Sequence, residues 1–165
     1  TVRLWAHTPS LDAETEVDAW AADPSAVTSL TEEAVAKAAA SLTGTLEQRP
    51  PLYSAKKVDG VKAYDAARKG ADIKLRTSTV TVDVFQVDRA VAQEVDGHPV
   101  FDVDVTIHCS KGTYIRSLAR DLGDALGVGG TLTALCRVSS GNYHVDHAWS
   151  VDALVAELNR DRTTS

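Results

Sequence analysis

Between Ser78 and Ile107 two runs of alternating apolar and polar residues flank a short polar connection, and no other feature limits the chain's fold as strongly. Val80, Val82, Val84 and Val87 recur at a spacing near two, and Val103, Val105 and Ile107 resume it after the break. Side chains two apart share one face of a pleated strand, so each run reads as a strand with one buried side. The connection Val95 to Pro99 contains Asp96 and Gly97, residues suited to a tight turn. An antiparallel hairpin over Ser78–Val91 and Val100–Ile107 is predicted. Two strands alone do not hold together in water, so the apolar face needs a cover.

Two helical patterns supply it. Thr31 is placed to cap a helix whose first turn carries Glu32 and Glu33, with Ala34, Val35, Ala38, Ala39 and Leu42 on one side and Gly44 at its end. Ile115, Leu118, Ala119, Leu122 and Leu126 form the apolar stripe of a second helix, closed by Gly127. The remaining chain predicts a strand end at Thr1–Leu4 and a loop at Ala6–Asp12. Gln48–Ala55, interrupted by Pro50 and Pro51, is expected as an exposed extended segment rather than core, and Ala63–Arg68 as a short helix stopped by Gly70. Leu132–Val138 and Tyr143–Val145 read as short strands, and Val151–Leu158 as a helix capped by Ser150 that frays after Asn159. The whole is one α+β unit, a mostly antiparallel mixed sheet flanked by helices.

With 44% hydrophobic and 24% charged residues, the chain is not a disordered tail. No apolar stretch approaches the roughly 18 to 20 residues needed to span a bilayer, and Arg3 with no apolar run behind it predicts no secretory leader. Cys109 and Cys136 are expected as free, buried thiols of a cytoplasmic protein. Neither has a metal-ligand neighbour at useful spacing, and His7, His98, His108, His144 and His147 form no ligand set or triad, so no metal is expected. Trp5, Trp20 and Trp149 read as packing residues. The net charge of -6 excludes a generally basic nucleic-acid binder but leaves a local basic surface open.

Such a surface is present in Tyr53-Ser-Ala-Lys56-Lys57 followed by Lys62, Tyr64, Arg68, Lys69, Lys74 and Arg76. Cations beside tyrosines offer point charges for phosphates and flat rings for unstacked bases; the same residues also fit a solvated helix face. The run His108-Cys-Ser-Lys111-Gly-Thr-Tyr114-Ile-Arg116 joins a strand to a helix, where backbone amides favour anions. Arg116, if partly buried, requires a carboxylate, and Asp121 or Asp124 on the same helix would serve structurally. The glycines of Leu122–Gly130 follow a helix rather than precede one, so they are a cap and turn and not a phosphate loop.

Pro50-Pro-Leu-Tyr-Ser-Ala-Lys-Lys57, Gly60, Tyr64 and Ala67-Arg-Lys-Gly70, then Cys109-Ser-Lys-Gly-Thr-Tyr-Ile-Arg116, Ala119-Arg-Asp-Leu-Gly123, Leu126-Gly127 and Gly129, resemble in order two signatures of the TruB family of tRNA pseudouridine synthases. Arg3-Leu4, Thr8, Ser10, Asp12 and Glu14 are similar to a third, acidic segment. The resemblance implies part of the pseudouridine synthase fold and isomerisation of uridine in the tRNA T-loop, without metal or cofactor. It implies that Arg116 pairs with the catalytic aspartate, that Tyr114 and Leu135 line the uracil pocket, and that Lys57, Lys111 and the thumb residues Tyr53 and Arg68 face the T-stem loop.

On the same resemblance, residues 50–76 are a thumb-like RNA-binding segment and 101–145 the active-site strand-helix-strand. The family's Gly-Xaa-Leu-Asp-Xaa-Xaa-Ala-Xaa-Gly motif does not occur in the chain, so residues 1–165 are expected to be the C-terminal portion of a catalytic domain, inactive without an N-terminal half. Trp5 and Thr15 stand where the family has glycine, Thr131 where it has histidine, and Cys136 in place of one of two arginines. A non-catalytic tRNA-binding or tRNA-folding module is the alternative.

Overall fold

The computed structural model describes residues 1–20, 23–51, 53–54, 57–58, 61–62 and 76–163. Its main sheet is antiparallel and contains β1 (Val2–Leu4), β4 (Gly44–Gln48), β7 (Ser78–Val95), β8 (His98–Cys109) and β9 (Gly130–Leu132), in spatial order β4-β7-β8-β1-β9. Two small ladders accompany it, β2 (Ala6–His7) with β3 (Ala19–Trp20) and β5 (Lys57–Val58) with β6 (Val61–Lys62). Two-strand order therefore intrudes into the expected loop at 6–12. The compact units are Thr1–Ala134 and Leu135–Ser165.

The hairpin forms as its pattern predicts and is longer at the turn, where β7 runs on to Val95 and β8 starts at His98, and at the far end of β8, which reaches Cys109. Asp96 and Gly97 both take positive φ, 52° and 78°, which gives the two-residue turn whose twist matches the flanking strands. Its core face departs from simple alternation. The register shifts between Val82 and Val84 and again between Val87 and Arg89. Each bulge inserts one residue and reverses which parity points inward. Phe85 is therefore buried beside Val80 and Val82, while Val84, expected inside, is only half-buried.

Helix α1 (Pro24–Thr28), with Asp23 as N-cap, and α2 (Glu32–Ser41) cover this face. The Thr31 hydroxyl caps α2 by accepting from the Ala34 amide at 3.2 Å. Of the predicted α2 stripe Val35 and Ala39 are buried, whereas Ala34 is exposed. Helix α3 (Ile115–Ala125) buries Leu118, Ala119 and Leu122 as its periodicity requires. Sequestering each such leucine from water contributes roughly 1.5–3 kcal/mol. Its close seat against β9 depends on absent side chains: a Cβ on Gly123 would lie 2.0 Å from the Gly129 carbonyl carbon, and one on Gly130 2.2 Å from the Ala119 oxygen.

Trp5 is buried with φ 106°, a left-handed conformation that L residues rarely adopt. Its amide donates to Gly129 O at 3.1 Å and its ring meets His98 with centroids 4.6 Å apart. The glycine-like backbone is thus kept although the residue is not glycine.

In the second unit β10 (Ser139–Ser140) pairs with β11 (Tyr143–His144), a 3-10 turn spans Val145–His147, and α4 runs Val151–Thr163. Ser150 Oγ accepts from the Ala153 amide, the predicted cap, but the helix continues past Asn159 instead of fraying. The expected strand Leu132–Val138 is also shorter, since β9 stops at Leu132 and residues 133–138 form no regular element. Trp149 is exposed rather than packed, as are Tyr143, Val151 and Leu158. Cys136 is exposed too, against the expectation of a buried thiol, and Cys109 is half-buried; both are free. Among the described residues no helix is long and apolar enough to cross a membrane.

Candidate functional site

The turn after β8 is closed by its own hydroxyls: Ser110 N donates to Thr81 O at 2.8 Å, Thr81 N donates to Ser110 Oγ at 3.0 Å, and Thr113 Oγ donates to Ser110 O at 2.9 Å. Lys111 projects from this turn into solvent. Tyr114 then occupies the N-cap of α3 in an extended conformation, and its side chain makes no cap hydrogen bond. The amide of Gln48 supplies the missing partner from another element. Tyr114 N donates to Gln48 Oε1 at 2.8 Å, and Gln48 Nε2 donates to Tyr114 O at 3.1 Å.

Gln48 begins a strap, Gln48–Pro51 with Tyr53 and Ser54, that the first two turns of α3 fasten down. Ser117 Oγ and Arg120 Nη2 both donate to the Arg49 carbonyl, at 2.9 and 3.1 Å. Arg116 Nη2 donates to the Tyr53 carbonyl at 2.8 Å. Through Nη1 the same guanidinium reaches the Ser10 carbonyl and Asp12 Oδ2, each at 3.0 Å. The Asp12–Arg116 pair is largely withdrawn from water, with side-chain exposures of 17% and 22%. Asp12 is itself held in place, since its Oδ1 accepts from Glu14 N at 3.0 Å and its carbonyl from Thr8 Oγ at 2.7 Å. One arginine therefore joins the acidic loop, the strap and the helix.

This geometry corrects the expected partners of Arg116. Asp121 binds Arg120 instead, with contacts of 2.6 and 2.8 Å, and Asp124 lies 4.0 Å from His7. Asp121, five places on, lies about 140° around the helix from Arg116, and Asp124, eight places on, about 12 Å further along its axis, while a loop distant in sequence meets the guanidinium. Burial raises the Asp121 carboxyl above its ordinary range, against the hydrogen bond from Arg120 that pulls it down. Gln48–Ala55 is corrected as well: Gln48, Pro50, Pro51 and Ser54 are buried although their backbone past Gln48 is irregular. Proline ends the strand without preventing its ring from packing.

Arg116, Tyr114, Lys111 and Tyr53 are thus brought together around the start of α3. Lys57 lies in β5 at a register position opposite Lys62. Arg68 and the predicted helix Ala63–Arg68 with Gly70 lie outside the described residues. Leu135 belongs to the second unit and is 60% exposed. Asp12 as ion-pair partner and Gln48 as backbone clamp were missed, although the acidic Thr8–Glu14 stretch was a visible signal for the first. A separate cleft of about 550 Å³ opens among Arg3, Thr8, Thr15, Glu16, His98 and Thr131, and none of the four clustered residues lines it. Among the described residues no group of three His, Cys, Asp or Glu side chains is arranged to hold a metal ion. The partly buried Arg116 guanidinium and the exposed Lys111 of the preceding turn are cations suited to an anionic ligand, with Arg116 as orienting charge.

Residues 1–115 match the family model for the TruB family pseudouridylate synthase N-terminal domain, and residues 116–164 that for the tRNA pseudouridylate synthase B C-terminal domain. The tRNA pseudouridine synthase B of Paenarthrobacter aurescens (strain TC1) is 45% identical over 158 residues, covering 96% of this chain and 49% of that protein. Its counterpart in Arthrobacter sp. (strain FB24) is 48% identical over 158 residues, 96% of this chain and 50% of the relative, and that of Mycobacterium leprae (strain TN) is 45% identical over 162 residues, 97% and 49%. The chain spans about half the length of these curated relatives. With one TruB family model matched over residues 1–115 and a second over 116–164, and the strap, turn and helix at their junction converging on Arg116, the chain belongs to the TruB family of pseudouridine synthases.

Proposed function

We propose that the chain contributes the arginine-bearing and RNA-facing part of a tRNA pseudouridine synthase acting on uridine of the T-loop. The observation that carries this reading is the position of Arg116, tied to both the acidic loop and the Tyr53 strap at the start of a helix whose preceding turn presents Lys111. A guanidinium has five N–H donors, and three hydrogen bonds engage it here. It can therefore orient a second carboxylate without releasing Asp12. In the complete protein that carboxylate is the nucleophilic aspartate of the family's Gly-Xaa-Leu-Asp motif.

The aspartate attacks C1′ of the extruded nucleotide as the bond to N1 breaks, the uracil turns, C5 bonds to C1′ and displaces the carboxylate, and the proton lost from C5 is balanced by one taken up at N1, with no metal or cofactor. Extruding the base costs unstacking energy that contacts in the pocket must offset. Tyr114 lines the uracil pocket in this reading, and Lys57, Lys111, Tyr53 and Arg68 hold the T-stem loop. Residues 50–76 act as the thumb and 101–145 as the active-site segment. The reaction belongs in the cytoplasm, with tRNA.

The test is tritium release from tRNA bearing 5-tritiated uridine, using the chain joined to a segment that carries the aspartate motif. Arg116→Ala is expected to reduce release at least about 100-fold, the scale of losing one oriented charge at a reacting centre. An Arg116→Ala assembly as active as the parent overturns the proposal.

A further inference from the structure

Among the described residues of the first unit, seven polar or charged ones are buried: Thr8, Ser10, Gln48, Ser54, Ser117, Arg120 and Thr131. Six of them have partners. Thr8 and Ser10 bond within the acidic loop, Gln48 to Tyr114, Ser117 and Arg120 to Arg49 O, and Thr131 Oγ to Ala6 O. The hydroxyl of Ser54 is shielded from water and, among the described residues, is the buried side-chain polar atom without a partner.

Its place gives that exception a meaning. The carbonyl that links Tyr53 to Ser54 is the one that receives Arg116 Nη2 at 2.8 Å. Ser54 is therefore one bond beyond the point where the strap is fastened to the site. A serine next to a fully satisfied network is easily replaced by alanine, which would remove the desolvation penalty at no loss of shape. A hydroxyl kept at that penalty is useful if its partner arrives later.

We propose that Ser54 is a positioning residue whose hydroxyl is satisfied only in the RNA complex, by an acceptor oxygen of the bound RNA. This rests on the reading that the chain binds the T-stem loop. Arg116 sets the strap's location through the Tyr53 carbonyl, and Ser54 Oγ–H adds a hydrogen bond that exists in the complex alone. The two states thus place opposite demands on one side chain.

Two measurements on the 165-residue chain test this: thermal unfolding of the free protein, and binding of a labelled T-stem-loop RNA hairpin at low salt. Ser54→Ala is expected to melt no lower than the parent and to bind about 5- to 10-fold more weakly, the usual net value of one hydrogen bond. Ser54→Cys, similar in size and a weak donor, should fall between them. Unchanged affinity in Ser54→Ala while the parent binds RNA overturns the proposal and leaves RNA binding intact; the hydroxyl then takes no part in RNA recognition. A lowered melting temperature with a matching loss of binding also overturns it, as the mark of a merely structural serine. Failure of the parent chain to bind at all removes the RNA reading and this one with it.

Discussion

The guanidinium of Arg116 meets the carboxylate of Asp12 at 3.0 Å across 104 positions of sequence, and it holds the Tyr53 carbonyl with its other terminal nitrogen. Two segments without long regular structure are thereby fixed to a helix. Loops placed by a rigid element are where binding groups are usually found, and here one side chain does the placing.

Removing either member of the pair should loosen both segments. Asp12→Ala and Arg116→Ala are each expected to cost about 1–3 kcal/mol in urea unfolding, with a coupling of about 1 kcal/mol in the double-mutant cycle. Additive effects would show that the contact contributes no interaction energy.

Trp5 combines a strained backbone with a buried ring, which makes two substitutions separable. Trp5→Ala loses the ring and keeps the left-handed conformation, at a cost of about 3–5 kcal/mol. Trp5→Gly loses the same ring but relieves the backbone, so it should be about 1 kcal/mol less destabilised than Trp5→Ala. Equal unfolding midpoints for the two would contradict the strain.

Exchanging glycine for alanine inside a helix ordinarily stabilises it by about 1 kcal/mol. Gly123→Ala should do the reverse, because its Cβ would lie 2.0 Å from the Gly129 backbone and α3 must lift from the turn before β9. A loss of about 2–4 kcal/mol is expected, on the scale of overpacking against atoms that cannot rotate away. A melting curve that matches or exceeds the parent's would refute the close packing.

Asp121 titrates above the ordinary carboxylate range, chiefly through burial. The folded chain then keeps a proton that the unfolded chain has released. Stability contributed by Asp121 is therefore full below the unfolded value, about 3.9, and declines as pH rises toward the elevated folded one. Asp121→Asn abolishes this titration, so the parent should lose stability relative to the variant across that window. A difference that stays flat with pH would be inconsistent with the shift.

The hairpin, the caps at Thr31 and Ser150 and the stripe of α3 were all legible in the residues, since each depends on neighbours within a few positions. Where the reading failed, something distant had intervened. Val84 gave way to Phe85 because bulges opposite β8 changed the strand's phase. Pro50 and Pro51 mark irregular backbone correctly, but α3 and its hydrogen bonds draw that backbone into the interior. The basic segment's Arg68 lies outside the described residues, whereas Tyr53, Lys111, Tyr114 and Arg116 are assembled by the fold.

What the sequence by itself determined is the set of local periods and the family signatures: where most strands and helices lie, and which segments carry the family's motifs. Only the tertiary structure decided that Arg116 takes Asp12 rather than Asp121, that Gln48 caps α3 in place of a side chain on its own helix, and that Ser54 is buried without a partner. The physical reason is range. Periodicity and capping are decided over a few residues of backbone geometry, whereas a guanidinium pairs with whichever carboxylate the folded chain brings within about 3 Å, and no spacing along the sequence encodes that approach.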